Sequence, residues 1–66
     1  MLVKVGTVLR GRDGGSVFLC IKREGGIATY IKLFSNRLEP IGKIFPSSVL
    51  ELDTLLPYFE VLNEGG

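Results

Sequence analysis

Apolar and polar residues alternate with a period of two along much of this chain, which is typical of β-strands. The first such segment covers residues 3–10, and one face of it would carry Val3, Val5, Thr7 and Leu9. Gly6 interrupts the segment, and a glycine inside a strand indicates a bulge or the close approach of another backbone. We therefore predict a half-buried first strand with a local irregularity.

Three later segments also have strand patterns. Residues 16–22 are so apolar that we expect both faces of that strand to be covered. Residues 27–34 alternate like the first segment, and residues 57–62 predict a final strand. Glycine-rich segments at 11–15 and 23–26 predict turns between the first three strands.

The segment Asn36–Pro46 predicts a bent strand that leads into an ordered loop. Pro40 lacks a backbone N–H, so it belongs at a sheet edge or a bulge, and Gly42 again indicates close approach of a backbone. Ile41 and Ile44 would lie on opposite faces of an extended strand. At least one of these two side chains should therefore be buried in the core.

The stretch after Pro46 fits two structures. Ser48 and Glu51 have the spacing of a capping box, which predicts a short helix that ends near Leu55. The alternative is a further strand over residues 49–52. Residues 63–66 contain two glycines and predict a flexible tail.

Together these segments predict one all-β domain over residues 1–66. Five or six short strands with glycine-rich turns fit a small closed β-barrel, because closure leaves no unpaired strand edge. Hydrophobic residues make up 45% of the chain and the mean hydropathy is +0.33. A domain of this size cannot bury so many apolar side chains, so we expect an exposed apolar patch that contacts a partner.

The sequence also predicts the cellular compartment of the protein. Lysine or arginine interrupts every apolar run before it reaches the roughly 20 residues of a membrane span. The N-terminus lacks the pattern of a signal peptide. Cys20 is the single cysteine and lies in an apolar segment, so we expect it in the core and the protein in the cytoplasm.

Charge is distributed unevenly along the chain. Residues 1–45 hold eight basic and three acidic residues, whereas residues 46–66 hold four acidic residues and no basic one. Such an asymmetry can steer a charged partner. The alternative is that the strands interleave in the fold and the two sets cancel in space.

No residue pattern indicates catalysis, a cofactor or a metal. The chain has no histidine to activate a nucleophile, and its seven acidic residues are dispersed. The glycine pairs at 14–15 and 25–26 do not join a strand to a helix as phosphate-binding loops do. We expect a protein that is not an enzyme.

Direct binding of RNA or DNA is a second possibility. Basic residues are interspersed with Phe18, Tyr30 and Phe34, as on barrels that stack bases on aromatic rings. The isoelectric point of about 7.9 is low for an autonomous nucleic-acid-binding domain. Aromatic residues in apolar strands more often pack in the core.

The segment 37–46 (RLEPIGKIFP) resembles the Ile-Gly-x-Val…Phe-Gly-Pro region of archaeal Gar subunits, the glycine-arginine-rich family of H/ACA ribonucleoproteins. Residues 5–9 (VGTVL) and 15–19 (GSVFL) look like the first two strands of that family. Residues 56–61 (LPYFEV) look like the strand after its Phe-Gly-Pro loop, so the resemblance covers roughly residues 3–62. The chain differs from the family in a shorter spacing before Phe and in the missing glycine between Phe and Pro.

The resemblance implies a six-stranded barrel that docks on the catalytic domain of a dyskerin-type pseudouridine synthase. Such a subunit acts in pseudouridylation, and so in rRNA processing and ribosome biogenesis, by helping substrate RNA to load and leave, mostly without contacting the guide RNA. The expected partner-binding residues are Ile41, Gly42, Ile44, Phe45 and Pro46. Two other functions stay open, a barrel that binds RNA or DNA directly, with a homo-oligomer possible, and a structural adaptor module.

Overall fold

The computed structural model describes residues 2–35, 41–48 and 50–65, and only the backbone of Phe45. Within these residues the chain forms five strands and one short helix. They are β1 (Thr7–Gly11), β2 (Val17–Glu24), β3 (Ile27–Phe34), β4 (Ile44–Ser48), α1 (Leu52–Leu55) and β5 (Phe59–Glu64). Strands β2, β3 and β5 lie within two residues of the predicted segments.

The strands form one antiparallel sheet in the order β4-β3-β2-β1-β5. The all-β prediction is therefore confirmed at the level of an antiparallel sheet. The predicted closed barrel is wrong, because β4 and β5 lie at opposite edges and no pairing between them exists in the described residues. The chain between these two strands forms α1, which packs on a face of the sheet rather than continuing the sheet towards closure.

The core lies on one face of the sheet, beneath α1. Among the described residues, seven apolar side chains are buried there, namely Val3, Leu9, Cys20, Ala28, Tyr30, Leu52 and Leu55. Leu52 and Leu55 are three positions apart and so share one side of the helix. The prediction that Cys20 is a core residue is confirmed, since its side chain is fully buried.

The other face of the sheet is not covered, so the expectation that both faces of β2 are buried is wrong. Leu19 is only half-buried and Ile21 is exposed. A single short helix spans one face only, and the chain supplies no second layer of described residues. The apolar surface expected from the composition is therefore present on this molecule.

The first and last strands differ from the prediction in their bounds. β1 begins at Thr7 because Val5 and Gly6 form a turn in which Gly6 has φ of +92°. Gly65 packs against this turn, so closely that a Cβ there would lie 2.6 Å from the carbonyl oxygen of Val5. The close approach expected at Gly6 is thus observed. The predicted tail is partly wrong, because β5 extends to Glu64.

Neither structure proposed for the stretch after Pro46 is observed in full. Ser48 ends β4 and does not cap a helix. The helix begins at Leu52, after Glu51 in an extended conformation that makes no side-chain cap. Glu51 instead forms an isolated β-bridge with Leu2 near the N-terminus. Val49, the first residue of the alternative strand, lies outside the described residues.

Candidate functional site

The five predicted partner-binding residues lie at one edge of the sheet. Residues 36–40, which begin the predicted bent strand, are outside the described residues. Ile41 and Gly42 form a bend that enters β4, and the other three residues lie within that strand. Since β4 pairs only with β3 in the described sheet, its second side is a free edge.

Backbone hydrogen bonds fix the bend to the neighbouring strand. The N–H of Gly42 donates to the carbonyl oxygen of Lys32 at 2.7 Å, and the N–H of Lys32 donates to that of Lys43 at 3.1 Å. Gly42 has φ of +80°, and no heavy atom lies within 4 Å of a Cβ placed there. Glycine is therefore favoured by its backbone conformation and not by the close approach that we expected.

Both isoleucines of this segment are exposed, Ile41 at 64% and Ile44 at 59%. The prediction that at least one is a core residue is wrong for two reasons. Ile41 lies in the bend and not in an extended strand, so the period of two does not apply to it. Ile44 pairs with Ile31 on the uncovered face of the sheet.

The last two predicted residues also lie in the edge strand. The backbone of Phe45 pairs with Tyr30, and Pro46 pairs with Thr29. Pro46 is exposed, in keeping with the rule that proline within a sheet occupies an edge strand. The structure thus brings Ile41, Gly42, Ile44 and Pro46 together along one accessible border.

The uncovered face carries apolar side chains that sequence reasoning did not group together. Directly paired residues share a face, and the pairings Val8–Leu19, Leu19–Ile31 and Ile31–Ile44 form one row across four strands. Val17 shares this face with Leu19 and pairs with Phe34 across a register shift in β3, which brings Phe34 to the same face. Ile27 lies four residues before Ile31 and so on the same side of β3. We call this surface the open face, comprising Val8, Val17, Leu19, Ile27, Ile31, Phe34 and Ile44.

Charged residues on the open face occur as ion pairs. Arg10 pairs with Glu60 across β1 and β5, and Lys22 pairs with Glu24 along β2 at 3.3 Å. The first pair joins the basic part of the sequence to its acidic part. This contact agrees with the alternative that the two charge sets cancel in space.

Two further arginines bind backbone groups inside the chain. Arg12 Nε donates to the carbonyl oxygen of Leu56 at 2.6 Å, and the N–H of Arg12 donates to that of Tyr58 at 3.0 Å. Arg23 Nη1 donates to the carbonyl oxygen of Val3 at 2.7 Å. These contacts hold neighbouring loops in place.

The aromatic residues considered as a base-stacking platform are dispersed. Phe18 is half-buried and forms an edge-to-face contact with Phe59, with ring centroids 6.3 Å apart. Lys32 Nζ lies 5.8 Å from the centroid of the Phe18 ring. Tyr30 is 7% exposed, whereas Phe34 is 52% exposed on the open face. Two of the three rings therefore pack largely within the fold.

Tyr30 is a buried ionisable group in the core. Burial raises the pKa of its phenol above the ordinary value of 10.0, the nearby Cys20 raises this pKa further, and Arg23 lowers it in part. The folded state therefore keeps the phenolic proton at a pH where the unfolded chain loses it. Stability from this source is complete below pH 10.0 and decreases as pH rises through the folded-state pKa.

Tyr30→Phe should reduce the loss of folding stability that occurs at alkaline pH. We expect the free energy of unfolding of the wild type to fall more steeply than that of the variant between about pH 9 and about pH 11. Urea unfolding followed by circular dichroism at several pH values measures both slopes. Tyr58→Phe removes an exposed phenol and is the matched control. Parallel curves for wild type and Tyr30→Phe would contradict the assignment.

The covered side of the sheet holds a small half-open cavity of about 180 Å³. Six apolar or aromatic side chains line it, together with Ser47 and Ser48: Leu9, Phe18, Tyr30, Leu50, Leu55 and Phe59. No charged side chain of the described residues lines it. Its lining offers packing surface and no group suited to acid–base chemistry at neutral pH.

The described residues contain neither a metal-binding cluster nor a membrane-spanning helix. No cluster of three or more histidine, cysteine, aspartate or glutamate side chains could hold a metal ion. No helix in the described part of the chain has the length and apolar character needed to cross a membrane.

Comparison with models of protein families, with curated proteins and with solved structures finds no significant match to this chain.

Proposed function

We propose that this chain is a non-catalytic protein-binding subunit that docks through the border formed by Ile41, Gly42, Ile44 and Pro46. The observation that carries the proposal is the exposure of two large apolar side chains, at 64% and 59%, along a strand edge that has no partner strand among the described residues. Exposed apolar side chains beside unpaired backbone groups suit the addition of a partner strand or loop.

The hydrogen bonds of the bend support this function. Because Gly42 and Lys43 are bonded to Lys32, Ile41 is presented by backbone that is ordered before a partner arrives. Ordering a free loop costs conformational entropy during binding, and a preformed bend avoids that cost. The border is therefore suited to act as an anchor for a partner protein.

The resemblance to Gar subunits names the partner that we propose, the catalytic domain of a dyskerin-type pseudouridine synthase in an H/ACA complex. In that setting the chain would aid turnover of substrate RNA without contributing catalytic groups. Direct nucleic-acid binding is less well supported, because four basic side chains of the described residues are engaged within the chain. No observation favours it over protein binding.

The test is complex formation between this chain and a purified archaeal synthase, which size-exclusion chromatography and calorimetry measure. We expect a complex with the wild type, and Ile41→Asp should weaken it at least about tenfold, because a charge would enter an apolar contact. Gly42→Arg should also weaken it, since arginine strains a backbone with φ of +80°.

Leu62→Asp is the matched control, because Leu62 is 47% exposed on β5 at the opposite edge of the sheet. We expect this variant to bind like the wild type. Circular dichroism should show that all variants keep their strands. Absence of a complex with the wild type excludes the synthase, and equal weakening by Ile41→Asp and Leu62→Asp excludes the border as the docking site.

A further inference from the structure

We infer that the open face is the contact surface of a homodimer, in which two copies of this chain stack sheet against sheet. This inference uses a different surface from the proposed docking border, although Ile44 belongs to both. It goes beyond the proposed function and does not depend on it. The apolar row across four strands is the observation that carries it.

The extent of exposure sets the open face apart from ordinary surface. Ile27, Phe34 and Ile44 are 46%, 52% and 59% exposed, and the four remaining members are half-buried. Isolated apolar side chains on a surface need no explanation, but a contiguous patch marks an interaction site. Here β-pairing forms the row of four side chains and the neighbouring pair Val17–Phe34, so these form a patch, and Ile27 lies at its margin beside Glu24.

The charges around the patch fit a second copy better than a charged partner. The pairs Arg10–Glu60 and Lys22–Glu24 each combine one cation and one anion. These two pairs carry no net charge between them, so they offer nothing to attract phosphate groups of nucleic acid or of an anionic membrane. In an isologous dimer, each pair can face a pair of the partner copy without net repulsion.

Shape and area are also consistent with a pair of sheets. Sheets pack face to face about 10 Å apart, with interdigitating side chains from the two inner faces. Four strands at about 4.8 Å spacing and about 3.3 Å per residue give the open face an area of about 400 Å². Two such faces would bury about 800 Å², which is below the usual range of stable specific interfaces, so association should be weak and depend on concentration.

Sedimentation equilibrium over about 1–300 µM protein tests the dimer, since this range brackets micromolar dissociation constants. We expect the mass of the wild type to rise from 7.2 kDa towards twice that value. Phe34→Lys should raise the dissociation constant at least about tenfold, because the ammonium group would lose water in the interface. Tyr58→Lys is the matched control, since Tyr58 is 70% exposed in the turn before β5 and should leave the constant unchanged.

Ile27→Lys provides a second variant on the open face should Phe34→Lys fail to fold, and it should weaken the dimer in the same way. A wild type that stays at 7.2 kDa at the highest concentration overturns the inference. So does a dimer that persists in both folded open-face variants, or one that Tyr58→Lys weakens as much. A monomer that binds neutral phosphatidylcholine vesicles would assign the open face to a lipid surface instead.

Discussion

Leu9→Ala should lower the free energy of unfolding by about 2–5 kcal/mol. Leu9 is 3% exposed on the covered face, where it packs in one cluster with Cys20 and Leu55. It also borders the cavity of about 180 Å³, so truncation would enlarge an existing space that the surroundings have not filled. A domain of this length has only about 3–10 kcal/mol of stability in total. Loss of this one side chain could therefore remove most of it.

Thermal and urea unfolding at one low protein concentration measure this loss. Each kcal/mol corresponds to about 4–8 °C in a domain of this size, so we expect the midpoint to fall by at least about 10 °C. Leu62→Ala is the control, because Leu62 is 47% exposed and the same chemical change there should cost less than about 1 kcal/mol. Similar losses in the two variants would show that Leu9 does not lie in the principal core.

Thr7→Val should lower the free energy of unfolding by about 2 kcal/mol, although valine has almost the same shape. Thr7 is fully buried, and its hydroxyl makes two hydrogen bonds. Its Oγ1 accepts the N–H of Lys4 at 3.2 Å and donates to the carbonyl oxygen of Glu64 at 3.0 Å. Valine would leave both of these backbone groups without their partner.

Two measurements separate this effect from a general loss of packing. Thr29→Val makes the same chemical change at a half-buried threonine on the uncovered side of β3. There we expect the free energy of unfolding to change by no more than about 0.5 kcal/mol. Amide exchange at Lys4 should accelerate in Thr7→Val relative to exchange in the centre of β3, because the hydroxyl that accepts this N–H is gone. Unchanged exchange at Lys4 together with unchanged stability would show that the threonine hydroxyl does not hold Lys4 and Glu64 together.

Local patterns were sufficient where an element depends on its own residues. The strand β3 was predicted with the observed bounds, because it alternates cleanly and directly follows a glycine pair. At Gly42 the sequence indicated a position that needs glycine, but the close backbone approach that we expected is not observed, and a positive φ explains the glycine instead. In both cases the deciding information lies within a few residues of the position.

Distant pairings explain the predictions that failed. The partner of β1 at the sheet edge is β5, about 50 residues away, and nothing in either segment indicates this pairing. Barrel closure depends on such pairings, and so does the number of layers that cover each face. The apolar character of β2 predicted two covered faces, whereas a chain with one short helix covers only one.

The candidate sites show the same division. The border at Ile41 and Gly42 could be proposed from the sequence, because it lies in one continuous segment with an unusual proline and glycine pattern. The open face could not be found, since its row takes one residue from each of four strands. Shifts of register between β2 and β3, at Val17–Phe18 and at Cys20–Lys22, decide which residues beyond that row lie on the same face.

Because Cys20 is buried, its reactivity can report the opening of the folded structure. Its thiol is fully buried in the core beneath α1 and donates to the carbonyl oxygen of Lys22 on the same strand at 3.5 Å. A thiol reagent can modify it only in molecules where this core has opened. The labelling rate therefore reports the opening equilibrium of the core directly, without a dye, a tag or an engineered residue.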